Sequence, residues 1–197
     1  ISSEIVGKGD NKLLIGKEHI DALLNEYFVD MVLFDSWYAK SEIINYLVEK
    51  NVLFVSRLRS NNVVLGENRK ISLKKFAEGI KHEQYKKIKM NNKSYWIYDA
   101  TLHLQAYGKM RVILSKRGVR EEPIFLVTNT KFSAQFVDKL YMRRFSIEVF
   151  FKDAKQFLNF ETFLCRNAQK WDIHLHLINL LHYVIQKRDS ISKTVRN

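Results

Sequence analysis

Residues 141–155 read YMRRFSIEVFFKDAK, and their spacing governs how the rest of the chain is read. Tyr141, Arg144, Glu148 and Lys155 follow one another at intervals of three, four and seven. At 100° per residue, one continuous helix would bring them within roughly 60° of one another. A single stripe would then carry a phenol, two cations and a carboxylate. Phe145, Ile147, Val149, Phe150 and Phe151 supply apolar surface to seat the same helix on a core. Taken alone, the stripe reads as a solvated face with an Arg144–Glu148 pair worth about 0.2–0.5 kcal/mol. The surrounding chain has to shift that reading.

Far upstream, residues 29–34 form an apolar run broken only by Asp30 and ending in Asp35-Ser36-Trp37-Tyr38. Such a run suits a buried parallel strand. A helical rhythm precedes it over residues 17–28, and Ser41 can cap a second helix with Ile43, Ile44, Leu47 and Val48 inward. Residues 52–55 then read as another buried strand. Helix, strand, helix, strand in short succession predicts an α/β unit with parallel pairing. Asp35 falls at the carboxyl end of its strand, where open α/β sheets place their sites. Between this unit and the stripe the texture is β-rich and basic. Residues 70–77 read as a short helix. Residues 85–90 and 94–98 flank an Asn91-Asn92 turn, and 101–107, 109–114 and 124–128 read as further strands. Ser133 opens the long helix that holds the stripe, and 171–186 form a last apolar helix before a frayed tail.

The chain of 197 residues carries 33 Lys+Arg against 21 Asp+Glu, a net charge of +12. That balance points to a polyanionic partner, nucleic acid first. Its apolar runs are too short to span a bilayer. The single cysteine, Cys165, excludes an intramolecular disulfide and a cysteine-rich zinc site. It reads as a core residue in a reducing compartment, the cytosol or nucleoid. His174 and His176 stand two apart in a helix, so they do not share a face as a metal pair would. The first residues, ISSEIVGKGD, lack a signal-peptide core and an initiator methionine, which points to a piece of a longer chain.

The pattern Y-x2-R-x3-E-x6-K, with IEVFFKDAKQ around it and VLFDSWY followed by LFVSRLRSN upstream, resembles a subgroup of bacterial insertion-sequence transposases. These are DDE enzymes with an RNase H-like catalytic domain. The resemblance implies an α/β fold with an RNase H-like mixed sheet, a β-rich insertion and C-terminal helices. It divides the chain into a partial core over 1–57, an insertion over 58–131, completing helices over 132–187 and a tail over 188–197. It implies that Asp35 and Glu148 are catalytic carboxylates binding Mg²⁺ or Mn²⁺. Tyr141, Arg144 and Lys155 would hold DNA phosphates, and Trp96 would stack on a base flipped from the transposon end. The implied partner is double-stranded DNA, both terminal inverted repeats and target, with a homodimer in the synaptic complex. Phe145 stands where relatives often carry tryptophan.

The family's first Asp belongs on a first strand well before the second, and only 34 residues precede Asp35. Asp10, between glycine and asparagine, has turn chemistry rather than that of a buried strand. The resemblance implies a transposase of the cut-and-paste type, catalysing metal-dependent DNA cleavage and strand transfer at transposon ends. The expectation is therefore that this chain is its C-terminal portion, lacking the sheet's first strands and by itself holding DNA without cutting it. A DNA-binding remnant or domesticated module is the alternative. Another RNase H-like nuclease, acting on RNA or branched DNA, is more distant.

Overall fold

The computed structural model describes residues 11–66, 69–90, 92–118, 120–158, 160 and 167–195; Asp10 and Cys165 lie outside them. The chain divides into a larger unit, Leu13–Arg144, and a smaller one whose described residues are Asn11, Lys12 and those from Phe145 onward.

In the larger unit, helix α1 (Lys12–Glu26) leads to strand β1 (Val32–Phe34), helix α2 (Ser41–Glu49) and strand β2 (Phe54–Leu58). β1 and β2 pair in parallel, with Val32 opposite Phe54 and Phe34 opposite Ser56, as the α/β reading requires. α1 starts earlier than residue 17 and runs through Gly16. β1 is only three residues long, because pairing with β2 begins at Val32. Lys40, not Ser41, is the N-cap of α2; the Ser41 hydroxyl turns instead to the Glu42 carboxylate at 3.0 Å. The C-terminus of α2 is closed by a Schellman motif. Asn51 takes a left-handed conformation, φ 55°. Val52 N–H donates to Leu47 O at 2.9 Å and Asn51 N–H to Val48 O at 3.0 Å. This turn delivers the chain into β2.

The segment that follows is β-rich, as its composition suggests. It comprises β3 (Val63–Leu65), β4 (Lys70–Ser72), helix α3 (Leu73–Glu78), β5 (Lys86–Met90), β6 (Lys93–Leu104), β7 (Gly108–Lys116) and β8 (Ile124–Thr128). The helix expected over 70–77 is thus half strand. Ser72 ends β4 and caps α3 by accepting from Lys75 N–H. All eight strands form one sheet in the order β1-β2-β8-β7-β6-β3-β4, with β5 also on β6. Only β1–β2 is parallel among the pairs. The strands of this segment therefore continue the α/β sheet directly, since β8 pairs antiparallel with β2. Asn92, φ 60°, turns the β5–β6 hairpin. Gly108, φ 71°, opens β7 in a conformation that other residues adopt with strain.

Each face of the sheet carries a core. One gathers Phe34, Ile43, Ile44, Leu47, Phe54, Leu58 and Leu104 with Val112, Leu114, Phe125 and Val127. The opposite face gathers Val55, Ile97, Ile113 and Leu126 with Val137 and Tyr141 of helix α4 (Ala134–Arg143). Alternation along β2, β7 and β8 assigns successive residues to opposite faces. Ser133 caps α4 as expected, accepting from Phe136 N–H at 3.3 Å.

Two polar devices fix the α4 face. Arg111 on β7 donates to both carboxylate oxygens of Asp99 on β6, at 3.0 and 2.6 Å, and to the carbonyls of Thr130 and Phe132, at 2.9 and 2.7 Å. This clamps the loop entering α4 to the sheet. Arg111→Ala removes the two-bond fork to Asp99 and the bonds to two carbonyls, one of them on the buried Thr130, so it is expected to cost about 2–3 kcal/mol in urea unfolding. Arg111→Lys should recover less than half, because an ammonium cannot reproduce the fork.

Asp138 on α4 is 2% exposed, and its Oδ1 has no hydrogen-bond partner. Burial pushes its carboxyl above the usual range, against the Ser115 hydroxyl and Arg117, which pull it down. An acid raised in the folded state contributes stability below its unfolded pKa near 3.8 and loses it as pH rises through the folded value. Asp138→Asn should therefore raise the melting temperature at pH 7, by about 2–4 °C for a gain of about 1 kcal/mol. Toward pH 4 the gain should vanish.

The smaller unit holds helices α5 (Phe145–Phe157) and α6 (Ala168–Val195). α6 continues beyond residue 186, where a frayed tail was expected. Phe150 meets His182 edge-on at 4.9 Å, and Asp153 lies 3.9 Å from the His182 ring nitrogen. The single helix expected from Ser133 through Lys155 is interrupted at Arg144. Arg144 N–H donates to Tyr141 O at 3.0 Å, a tightened final turn that closes α4.

Candidate active site

Asp35 follows β1 directly. Its Oδ1 accepts from Trp37 N–H at 2.8 Å and Tyr38 N–H at 3.3 Å, an Asx turn that reverses the chain and fixes the carboxylate. The Ser56 hydroxyl donates to Asp35 O at 3.2 Å, tying the strand end to β2. Asp35 Oδ2 has no hydrogen bond or ion pair with a described residue. Beyond the turn, the Tyr107 hydroxyl donates to Ala39 O at 2.7 Å, so the loop is held from the β6–β7 side as well. Trp37 is 40% exposed, with its ring edge against Tyr38 at 4.7 Å.

Tyr141 joins this neighbourhood from α4. Its ring is 8% exposed, and the Arg144 guanidinium lies over it, 5.5 Å from the centroid. Burial raises the Tyr141 phenol above its ordinary value. The nearby charges of Arg144 and Arg57 act to lower it, and Asp35 acts to raise it. The larger unit thus brings Asp35, Tyr141, Arg144 and Arg57 together at the end of the β1–β2 pair. Glu148 and Lys155 lie on α5 in the other unit. Seven residues apart, they share one helix face to within roughly 20°, and both are exposed. The stripe of four residues is therefore two pairs, parted at Arg144.

Trp96 lies on β6 between its partners Lys87 on β5 and Lys116 on β7. It is half-buried against the first core, with the Lys87 ammonium 5.4 Å from its ring. His174 packs against the Trp171 ring at 5.9 Å. His176 Nδ1 lies 2.8 Å from Asp172 O. Each histidine thus has a local partner, consistent with a structural role.

A hard divalent cation prefers carboxylate oxygens, and Asp35 Oδ2 is one such donor. Among the described residues no three His, Cys, Asp or Glu side chains gather. The donor type fits Mg²⁺ or Mn²⁺, while a complete ligand set is not assembled from the described residues. No helix among them is long and apolar enough to cross a membrane.

Arg57 was not singled out by sequence reasoning. Its signal was available: Arg57-Leu58-Arg59 closes a buried strand with cations on alternate residues.

No curated protein matches the chain. The model of the family described as Transposase DDE domain matches residues 16–184, which spans the β1 end, the whole sheet, α4, α5 and most of α6. The fold is accordingly the RNase H-like α/β arrangement expected from the sequence, a mixed and mostly antiparallel sheet followed by helices. With its match over most of the sequence, the chain belongs to the DDE transposase family.

Proposed function

We propose that the protein cleaves DNA at transposon ends and joins the freed 3′-hydroxyl to target DNA by a cut-and-paste route, as a member of the Y-x2-R-x3-E-x6-K subgroup. The observation that carries this reading is the Asp35 carboxylate, pinned through one oxygen at the end of a parallel-paired strand and accompanied by Tyr141, Arg144 and Arg57. Asp35 and Glu148 are the proposed carboxylate ligands. Mg²⁺ or Mn²⁺, when bound, would activate the attacking oxygen and stabilise the leaving one. Arg144 and Lys155 offer a guanidinium fork and an ammonium to phosphates, and Tyr141 offers a phenolic hydroxyl. Trp96 offers a half-exposed ring for an unstacked base. Residues 1–57 and 132–187 would form the catalytic core and 58–131 its insertion, with a homodimer pairing two ends in the bacterial nucleoid.

A second reading, a module that holds DNA without cutting it, rests on the net charge of +12, which attracts a polyanion whether or not it is cut. Incubation with a supercoiled plasmid carrying the terminal repeats separates the two. Mg²⁺-dependent nicking that disappears on chelation supports the enzyme. Retarded but intact plasmid supports the module. Failure to bind duplex DNA at low salt sinks both.

A further inference from the structure

Arg57 and Arg59 are exposed and flank Leu58, which is 1% exposed. Arg57 is the last residue but one of β2, and Arg59 is the first residue beyond its end, where the turn closed by Asn62 begins. Val55, two residues before Arg57, packs in the core that contains Tyr141, which places Arg57 on the α4 side of the sheet. Arg59 acts instead on the Tyr107 phenol, which burial raises and the Arg59 charge acts to lower. Neither guanidinium has a hydrogen bond or an ion pair with a described residue. An arginine in a fold usually rests against a carboxylate or a carbonyl, as Arg111 does here. Two adjacent ones without such partners leave ten N–H donors facing outward.

Both arginines line a cleft of about 430 Å³ with Ser36, Ser60 and the chain from Glu122 to Phe125. Ser36 is the residue after Asp35, so the cleft opens directly beside the candidate catalytic carboxylate. Its one acidic lining residue, Glu122, is paired with Lys74 at 2.9 Å. The cleft is therefore cationic on its Asp35 side. The turn after Arg59 is fixed by Asn62, which donates from its backbone and its side chain to Arg59 O at 3.1 and 2.9 Å.

We propose that Arg57 and Arg59 form a rail for the sugar–phosphate backbone of one DNA strand, seating successive phosphates as the strand leaves Asp35. Ser36 and Ser60 supply neutral donors along the same cleft. The proposal rests on the reading of Asp35 as part of a DNA-processing site and adds the track along which that DNA lies. A guanidinium fork matches a phosphate in two bonds where an ammonium offers a point charge.

The test is duplex DNA binding by the full chain, followed by fluorescence anisotropy across a salt series. The wild type is compared with R57Q/R59Q, with R57K/R59K, and with K70Q/K109Q, which removes two exposed lysines on β4 and β7. Each phosphate contact contributes a slope of about 0.9 in log K against log salt. R57Q/R59Q should therefore lose about 1.8 in slope and bind at least about tenfold more weakly at 0.1 M salt, with an unchanged melting temperature. R57K/R59K should retain most of the slope and lose part of the affinity, and K70Q/K109Q should match the wild type. Equal losses in R57Q/R59Q and K70Q/K109Q would reveal diffuse attraction and overturn the rail. Wild-type-like binding by R57Q/R59Q would overturn the rail and leave the reading of Asp35 standing. Absence of wild-type binding would remove both.

Discussion

Asp35→Asn is expected to abolish Mg²⁺-dependent DNA cleavage, with a loss of at least about 10³-fold, or about 4 kcal/mol of transition-state stabilisation. The fold should be untouched. Asparagine keeps the side-chain oxygen that accepts from Trp37 and Tyr38 N–H at 2.8 and 3.3 Å, so the Asx turn survives. It replaces the other oxygen with an amide nitrogen, which removes the charge and the donor that a hard cation requires. Asp35→Ala would lose the turn as well and so confound chemistry with local order. Cleavage and melting temperature measured on the same preparation separate the effects. Cleavage by Asp35→Asn above a tenth of the wild-type rate would remove Asp35 from the chemistry.

Phe54→Ala is expected to cost about 3–5 kcal/mol, a large share of the roughly 5–15 kcal/mol that stabilises a typical domain. Phe54 is fully buried, its ring 5.9 Å from Phe34, within the core that includes Ile43, Ile44 and Leu47 of α2. Its backbone is pinned on both sides, N–H to the Asn129 side chain at 2.9 Å and carbonyl to the Thr128 hydroxyl at 2.6 Å. The strand cannot shift to fill the hole, so the cavity persists. Phe54→Leu, which leaves a smaller void, should cost less than half as much in the same denaturant titration. A cost below about 1 kcal/mol for alanine would show that β2 does not seat the β1 end as described.

The parts legible in the sequence were those fixed by local chemistry. Residues 124–128 read as a strand because an apolar run sits between a proline and a threonine-asparagine turn. Ser133 read as a cap because a hydroxyl there satisfies a helix N–H. Asp35 read as a strand-end carboxylate because the apolar run stops abruptly at it. The misreadings occurred where a distant partner overrides local preference. Asp99 and Ala100 are poor strand formers, which split β6 into two expected strands. Across the sheet, Arg111 holds Asp99 with a two-bond fork, and the strand runs unbroken from Lys93 to Leu104. Similarly, Lys70–Ser72 looks helical alone and becomes a strand because β3 pairs with it. The break at Arg144 has no glycine or proline to announce it. That is why four residues spaced for one helix face were read as a single stripe.

The most direct test of the account is strand transfer. A labelled DNA end bearing the terminal repeat and a free 3′-hydroxyl is mixed with a supercoiled target plasmid, the protein and Mg²⁺. The account predicts covalent joining of the label to the plasmid, lost in Glu148→Gln and in Asp35→Asn. A label that is bound but never joined, or joining that survives either substitution, would contradict it.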